Sequence, residues 1–176
     1  MAEVCGIETN NTLEGEDLEV CIRWMELGAF MPMVRVTGPI VDYIFTDPED
    51  RTFVDASRQR LPWTRYIYSQ MYLANYTGSS MLYPLIFDNP DDAEAANNIE
   101  ETFMLGDSLK ISPVLNSNTS VGNATTFKSY FPEGVWRDVY NYSNVINSTG
   151  KGQYFDLERK WGQTQVHLKP GKVAFT

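Results

Sequence analysis

The sequence predicts a chain in two parts, an α/β front half followed by an all-β back half, and three observations carry that reading. Apolar residues recur at helical spacing twice before residue 80, short β-rich runs alternate with turns from Met81 onward, and the charge balance differs between the two regions. The 176 residues are 43% apolar, 13% aromatic and 21% charged, a globular composition long enough to bury a core.

Residues 1–20 hold six carboxylates (Glu3, Glu8, Glu14, Glu16, Asp17, Glu19) and no lysine or arginine, and with Gly15 they read as an exposed loop. Cys21, Ile22, Met25 and Leu27 then follow Leu18 at helical spacing. Gly28 lies near the end, and Glu16 and Asp17 sit where a helix N-terminus favours negative charge, so a helix is expected over 17–28. Residues 29–54 contain Pro32, Gly38, Pro39 and Pro48 and read as a short strand with a long irregular connection. A second helix is expected after Asp55 or Ser57 as cap. Leu61, Arg65 or Tyr66, Tyr68 or Met71, and Tyr72 would form its face, and Gly78 its stop. Pro62 must lie in the first turn or kink this helix. Beyond it, 81–87, 102–106, 108–115, 127–132, 135–140, 164–168 and 172–175 read as strands of an antiparallel sheet, with turns such as NPDD, NSNTS, FPEG and KPGK between them. Residues 127–176 carry seven Lys and Arg against four Asp and Glu, so the acidity lies upstream, and a boundary falls near 88–100.

Fourteen basic against twenty-three acidic residues give a net charge of −9, which repels phosphate backbones and anionic lipid and argues against a nucleic-acid partner. The longest apolar run, 81–87, is far short of the roughly twenty residues that a membrane-spanning helix needs. The start, MAEVCGIETNN, has no basic end followed by an apolar stretch, so no targeting segment is expected. Glycosylation sequons nevertheless occur at Asn10, Asn75, Asn118, Asn123, Asn141 and Asn147, where chance placement gives about two. Loops rich in Asn, Ser and Thr are one account. A glycosylated chain of the secretory pathway is the other, and it implies a piece of a longer protein whose natural start is not Met1. The two cysteines, Cys5 and Cys21, are either buried reduced thiols or a bridge closing a loop of about 17 residues, worth about 3 kcal/mol.

His167 is the single histidine, which excludes paired-histidine metal sites. It lies in the alternating run TQVHL and is expected to face solvent or a hydrogen-bond partner rather than to act in catalysis. No GxSxG elbow accompanies it, and KPGK lacks phosphate-loop spacing and is a turn. No cofactor and no metal are expected. The carboxylates Asp47, Glu49, Asp50, Asp88, Asp91, Asp92 and Glu94 fall in turns and read as solvated surface. Tyr66, Tyr68 and Tyr72 form an aromatic stripe that is expected to be core, although such a stripe can also stack on sugar rings.

Several blocks resemble a known family. EVCG at 3–6 and CIRWMELGAF at 21–30 are similar to the D-I-C-G-F and C-x-R-W-x-Q-L-G-A-F-x-P-F-x-R-x-H blocks of glycoside hydrolase family 31, the α-glucosidases. YIYSQMYLANYTGSSMLYPLIFDNPDD, ETFMLGDSLKISPVL, YFPEGVWRDVY and VHLKPGKVAF resemble later blocks of that family in collinear order over essentially the whole chain. The resemblance implies the end of a (β/α)8 TIM barrel over 1–95 and part of an antiparallel β-sandwich over 96–176. It also implies retaining hydrolysis of terminal α-linked glucose by two carboxylates about 5 to 5.5 Å apart. The family's nucleophile and acid/base motifs are absent from this sequence, so the chain alone is expected to be inactive and to depend on the remainder of the barrel.

An α-glucoside oligosaccharide is the implied ligand, and its pocket would be lined by Glu3, Ile7, Arg35 and Thr37. Only Arg35 keeps the family residue: Glu3 stands for Asp, Ile7 for Phe and Thr37 for His. Losing a buried hydrogen bond to a sugar hydroxyl costs about 1 to 3 kcal/mol, so these departures bear on substrate preference or activity. Arg23 and Trp24 match the helix block and are expected to pack structurally. Cys5–Cys21 matches a pair that is disulfide-bonded in secretory members, and a lysosomal, secreted or cell-surface location is implied. Two other readings are a non-catalytic glycan-binding or interaction relative of the same family, and a small secreted β-rich binding module outside it.

Overall fold

The computed structural model describes residues 2–4, 15–36, 52–118, 121–122 and 124–175. The chain divides into two compact units. The first is drawn from residues up to Pro62 with Pro113–Thr125 and Arg159–Thr164. The second comprises Trp63–Ser112, Thr126–Glu158 and Gln165–Thr176.

In the first unit, β1 (Ala2–Val4) leads by way of α1 (Gly15–Gly28) to β2 (Val34–Val36), and the two strands pair in parallel. Leu18, Cys21, Ile22 and Met25, spaced three and four apart, turn one face of α1 onto Val4, Val34 and Val36, with Ala56 of α2 (Thr52–Arg58) closing the cluster. Gly28 serves close packing here. A Cβ at that position would lie 3.2 Å from Val34 Cγ2 and 3.4 Å from Val4 Cγ2. Asp55 and Ser57 lie inside α2 rather than at a helix start, and Gln59 alone separates α2 from α3 (Arg60–Thr77). Where α1 leaves its apolar face, Arg23 is buried and pairs with Glu26 at 3.1 Å, and its guanidinium lies 4.2 Å over the Trp161 ring. Gly162 N–H donates to Glu26 Oε1 at 2.7 Å. Burial raises the Glu26 pKa, and Arg23 opposes the rise.

α3 carries Pro62 in its first turn, where proline costs no hydrogen bond, and stops at Gly78, whose φ of 71° and N–H to Ala74 C=O at 2.9 Å form a left-handed cap. The residues it buries are Trp63, Tyr66 and Ile67. The expected face is therefore one register off: Leu61, Tyr68, Met71 and Tyr72 are exposed. Tyr66 decides the register, because its hydroxyl donates to Leu105 C=O at 2.9 Å and accepts from Ser108 N–H at 3.2 Å. Gly106, at φ +59°, permits this approach, since a Cβ there would stand 2.5 Å from the Tyr66 hydroxyl.

The second unit is antiparallel throughout. A six-stranded sheet takes β3 (Leu82–Tyr83), β4 (Phe103–Leu105), β5 (Leu109–Ser112), β10 (Gln165–Leu168), β7 (Gly134–Asp138) and β8 (Val145–Ser148) in that order, and β6 (Thr126–Phe131) pairs with β9 (Gln153–Glu158). Met104, Trp136 and Ile146 of the larger sheet share one core with Tyr130, Phe131 and Leu157 of the smaller. Phe131 is its hub: its ring meets Trp136 at 5.7 Å, Phe155 at 5.8 Å and His167 at 4.9 Å, all edge to face.

Three departures from the sequence reading have local causes. Residues 85–87 form a 3-10 turn after Pro84, and 93–97 form a short helix α4, capped by Asp92 Oδ1 accepting from Glu94 N–H at 3.0 Å and Ala95 N–H at 3.2 Å. Residues 172–175 are not a strand. The Pro170–Gly171 turn ends β10, Gly171 having a φ of 71°, and Val173 and Phe175 are exposed. β8 and β9 lie in a stretch where turn residues mask the alternation. Phe131→Ala is expected to destabilise the protein by about 3 to 5 kcal/mol in urea unfolding; a loss below about 1 kcal/mol would deny the ring its central place.

Candidate functional site

The candidate site is the C-terminal edge of the β1–β2 pair. A parallel pair joined by a helix sends both strand ends to the same edge, which is where α/β proteins place ligands. Glu3 lies in register with Arg35 and Val4 with Val36. Alternation along β2 turns Val34 and Val36 to the core beneath α1, while Arg35 is exposed on the opposite face. The structure thus brings the backbone of Glu3 beside Arg35. Ile7, Thr37 and Cys5 lie outside the described residues, as does the side chain of Glu3. Cys21 is buried on the core face of α1.

The remaining candidates have structural employment. Arg23 is buried and paired as expected, whereas Trp24 is exposed. Within the tyrosine stripe only Tyr66 is core; Tyr68 and Tyr72 are exposed, and Tyr72 stacks on Tyr76 at 6.2 Å. Burial raises the Tyr66 hydroxyl to about 12. Asp47, Glu49 and Asp50 lie outside the described residues. Asp88, Asp92 and Glu94 are more than solvated surface: Asp88 pairs with Lys169 at 2.7 Å, Asp92 Oδ2 accepts from the Tyr130 hydroxyl at 2.6 Å and Glu94 Oε2 from the Tyr154 hydroxyl at 2.7 Å. Of the sequons, Asn75, Asn141 and Asn147 are exposed. Asn118 is half-buried and its Oδ1 accepts from Arg159 Nε at 3.1 Å, while Asn10 and Asn123 lie outside the described residues.

His167 corrects the expectation of a solvent-facing or hydrogen-bonded residue. It is 1% exposed, and neither ring nitrogen has a hydrogen-bond partner among the described residues. It lies in register between Lys110 of β5 and Asp138 of β7, so the row turns inward at this point. Lys110 is fully buried beside it. Its Nζ donates to Ser112 Oγ at 2.6 Å and Ser129 Oγ at 2.8 Å and stands 3.9 Å over the Phe131 ring. Burial pushes the Lys110 ammonium well below its ordinary value, against a weaker opposite pull from Glu101. Burial, with Lys110 adding to it, pushes His167 down to about 3. Among the described residues no three His, Cys, Asp or Glu side chains gather to hold a metal ion, and no helix is long and apolar enough to cross a membrane.

The profile of the glycosyl hydrolase family 31 C-terminal domain matches residues 78–174. The chain belongs to glycosyl hydrolase family 31. An alpha-glucosidase of Hordeum vulgare is 32% identical over 179 residues, covering 98% of this chain and 19% of the relative. The probable maltase-glucoamylase 2 of Homo sapiens is 32% identical over 178 residues, covering 98% of this chain and 6% of the relative. The chain thus spans at most about a fifth of the length of these curated relatives. Among solved structures, a family 31 alpha-xylosidase from a soil metagenome, complexed with xylose, superposes with a TM-score of 0.76 at 22% identity, covering 97% of this chain and 27% of that one. A family 31 dextranase of Flavobacterium johnsoniae, complexed with glucose, gives 0.73 at 21% identity over 90% of this chain and 19% of that one. These two likenesses establish fold alone, and the antiparallel sheets of the second unit agree with the family's C-terminal domain.

His167 gives this family member an acid-sensitive core. The unfolded histidine takes a proton near pH 6.5 and the folded one near 3, so between those values the unfolded state binds the extra proton. Stability is full above the upper value and falls as pH drops through the window. Between pH 7 and pH 5 the parent is expected to lose about 2 kcal/mol more than His167→Leu by urea unfolding; parallel losses in the two proteins would refute the buried neutral imidazole.

Proposed function

We propose that the chain supplies the C-terminal part of a retaining α-glucosidase that removes terminal α-linked glucose from oligosaccharides. In this reading, residues 1–95 complete a (β/α)8 barrel and 96–176 begin the β domain beside it. The nucleophile and the acid/base are carboxylates of the remainder of the barrel, held about 5 to 5.5 Å apart. The observation that carries the proposal is the parallel β1–β2 pair, with Glu3 and Arg35 in register and Arg35 on the face opposite the helix. In a barrel that face is the interior, and residues at the C-terminal ends of the strands line the substrate pocket. Arg35 would donate to sugar hydroxyls, and Glu3, Ile7 and Thr37 are the other residues proposed to bind the substrate. Their departures from the family residues favour a second reading, a relative that binds glycans without cleaving them.

The same reading places the protein in the secretory pathway, with glycans on exposed asparagines and a Cys5–Cys21 bridge. Asn75, Asn141 and Asn147 are exposed. Cys21 is not a free thiol, and it packs in one cluster with Val4, the residue before Cys5. Residues 1–176 alone are expected to leave an aryl α-glucoside uncleaved, whereas the chain joined to the remainder of the barrel cleaves it. In the joined protein Arg35→Ala should lower kcat/KM by about 10 to 100-fold, the loss of a charge-assisted hydrogen bond. Turnover by the isolated chain, or an unchanged kcat/KM in Arg35→Ala, would count against the assignment; binding of maltose without turnover in the joined protein would favour the second reading. Thiol titration of native material from a secretory host should find no reactive cysteine, and two titrating thiols would reject the bridge.

A further inference from the structure

The second unit carries a cleft of about 550 Å³ between the C-terminal end of α3 and the β4–β5 turn. Tyr83 and Phe87 line it with nearly parallel rings, inclined by 13° with centroids 6.0 Å apart, and Phe87 is 67% exposed. Asp88 and Asp107 line it as well. Both carboxylates are held by lysines of one turn. Lys169 Nζ lies 2.7 Å from Asp88 Oδ2, and Lys172 Nζ lies 2.8 Å from Asp107 Oδ2. Each acid is held a second time, Asp88 by the Tyr83 hydroxyl at 3.1 Å and Asp107 by Ser108 Oγ at 2.7 Å. The KPGK turn, read from sequence as a plain connection, thus fixes two acceptors beside an aromatic platform.

We propose that this cleft binds a pyranose ring of a neutral oligosaccharide. Exposed aromatic rings offer a face to the C–H side of a sugar, and carboxylates already oriented by their neighbours accept from its hydroxyls without first losing side-chain freedom. Two acids paired with two lysines leave no net charge, which disfavours an anion or a metal ion as ligand. A wholly apolar occupant would strip water from both ion pairs with no hydrogen bond in return. Gln70, Thr77, Ser79 and Ser80 complete the rim with amide and hydroxyl groups suited to a polyol. The site goes beyond the α-glucosidase reading, because it uses neither Arg35 nor any catalytic carboxylate.

Saturation-transfer NMR and titration calorimetry of the full chain with maltotriose test it. Binding is expected, weakened by about tenfold in Phe87→Ala and unchanged within about twofold in Tyr142→Ala, an exposed ring of the same unit that does not line the cleft, with the thermal midpoint preserved in both because each residue is exposed. Absence of saturation transfer to the sugar overturns the proposal, as does equal affinity in the parent and Phe87→Ala. Loss in Arg35→Ala alone overturns it too, assigning the sugar to the β1–β2 edge. If an anilinonaphthalene dye binds and Phe87→Ala abolishes that binding while maltotriose stays unbound, the cleft is a docking surface for an apolar protein segment and the proposal fails.

Discussion

The second unit closes on the ring of Phe131. A sheet of six strands and a ladder of two must bury opposing faces, and the ring stands where they meet, with Trp136, Phe155 and His167 at its edges and Lys110 over its face. Close packing leaves little slack around such a residue. The polar groups beside it follow from that position. Lys110 lies inside the sandwich because two serine hydroxyls and an aromatic face stand in for water, and His167 lies there in its neutral form, because burying two unpaired ring nitrogens costs less than burying an unpaired imidazolium.

The first unit obeys a different constraint. Parallel strands are stable when both faces are covered, and here one face of the β1–β2 pair lies against α1 while the other presents Arg35. An arginine at that place couples scaffold to chemistry. The alternation that buries Val34 and Val36 turns residue 35 toward whatever occupies the opposite side. The buried Arg23–Glu26 pair supports the arrangement from behind, with Trp161 covering the guanidinium and Gly162 capping the carboxylate. Breaking such a pair costs more than its net contribution, because the surviving charge stays buried.

Much of this was legible in the residues. The apolar spacing of Leu18, Cys21, Ile22 and Met25 announced α1, and Gly78 announced the end of α3. The face of α3 was not legible, because tyrosines occur on both sides of that helix and periodicity cannot choose between them; the bonds of the Tyr66 hydroxyl to Leu105 and Ser108 choose. β8 and β9 escaped notice because Asn, Ser and Gly crowd the stretch between them. Buried Ser148 looks like a turn residue until its Oγ is seen donating to Phe131 C=O at 2.8 Å. The candidate site was readable through resemblance alone: Glu3, Ile7 and Thr37 carry no local signal, and Arg35 is one exposed arginine among several. The Tyr83–Phe87 platform gave no sign at all, since its acids and lysines stand far apart in the chain.

β8 is the last strand of its sheet, with β7 as its neighbour and no strand beyond it among the described residues. Its outer row of backbone groups is the kind of rim on which a second molecule can extend a ladder. The strand is four residues long and places Asn147 outward between buried Ile146 and Ser148. A short rim bearing a polar amide is a poor template for fibre growth, and a sugar carried there would make it poorer still. If Asn147 carries the proposed glycan, the same position also keeps neighbouring copies of the protein apart.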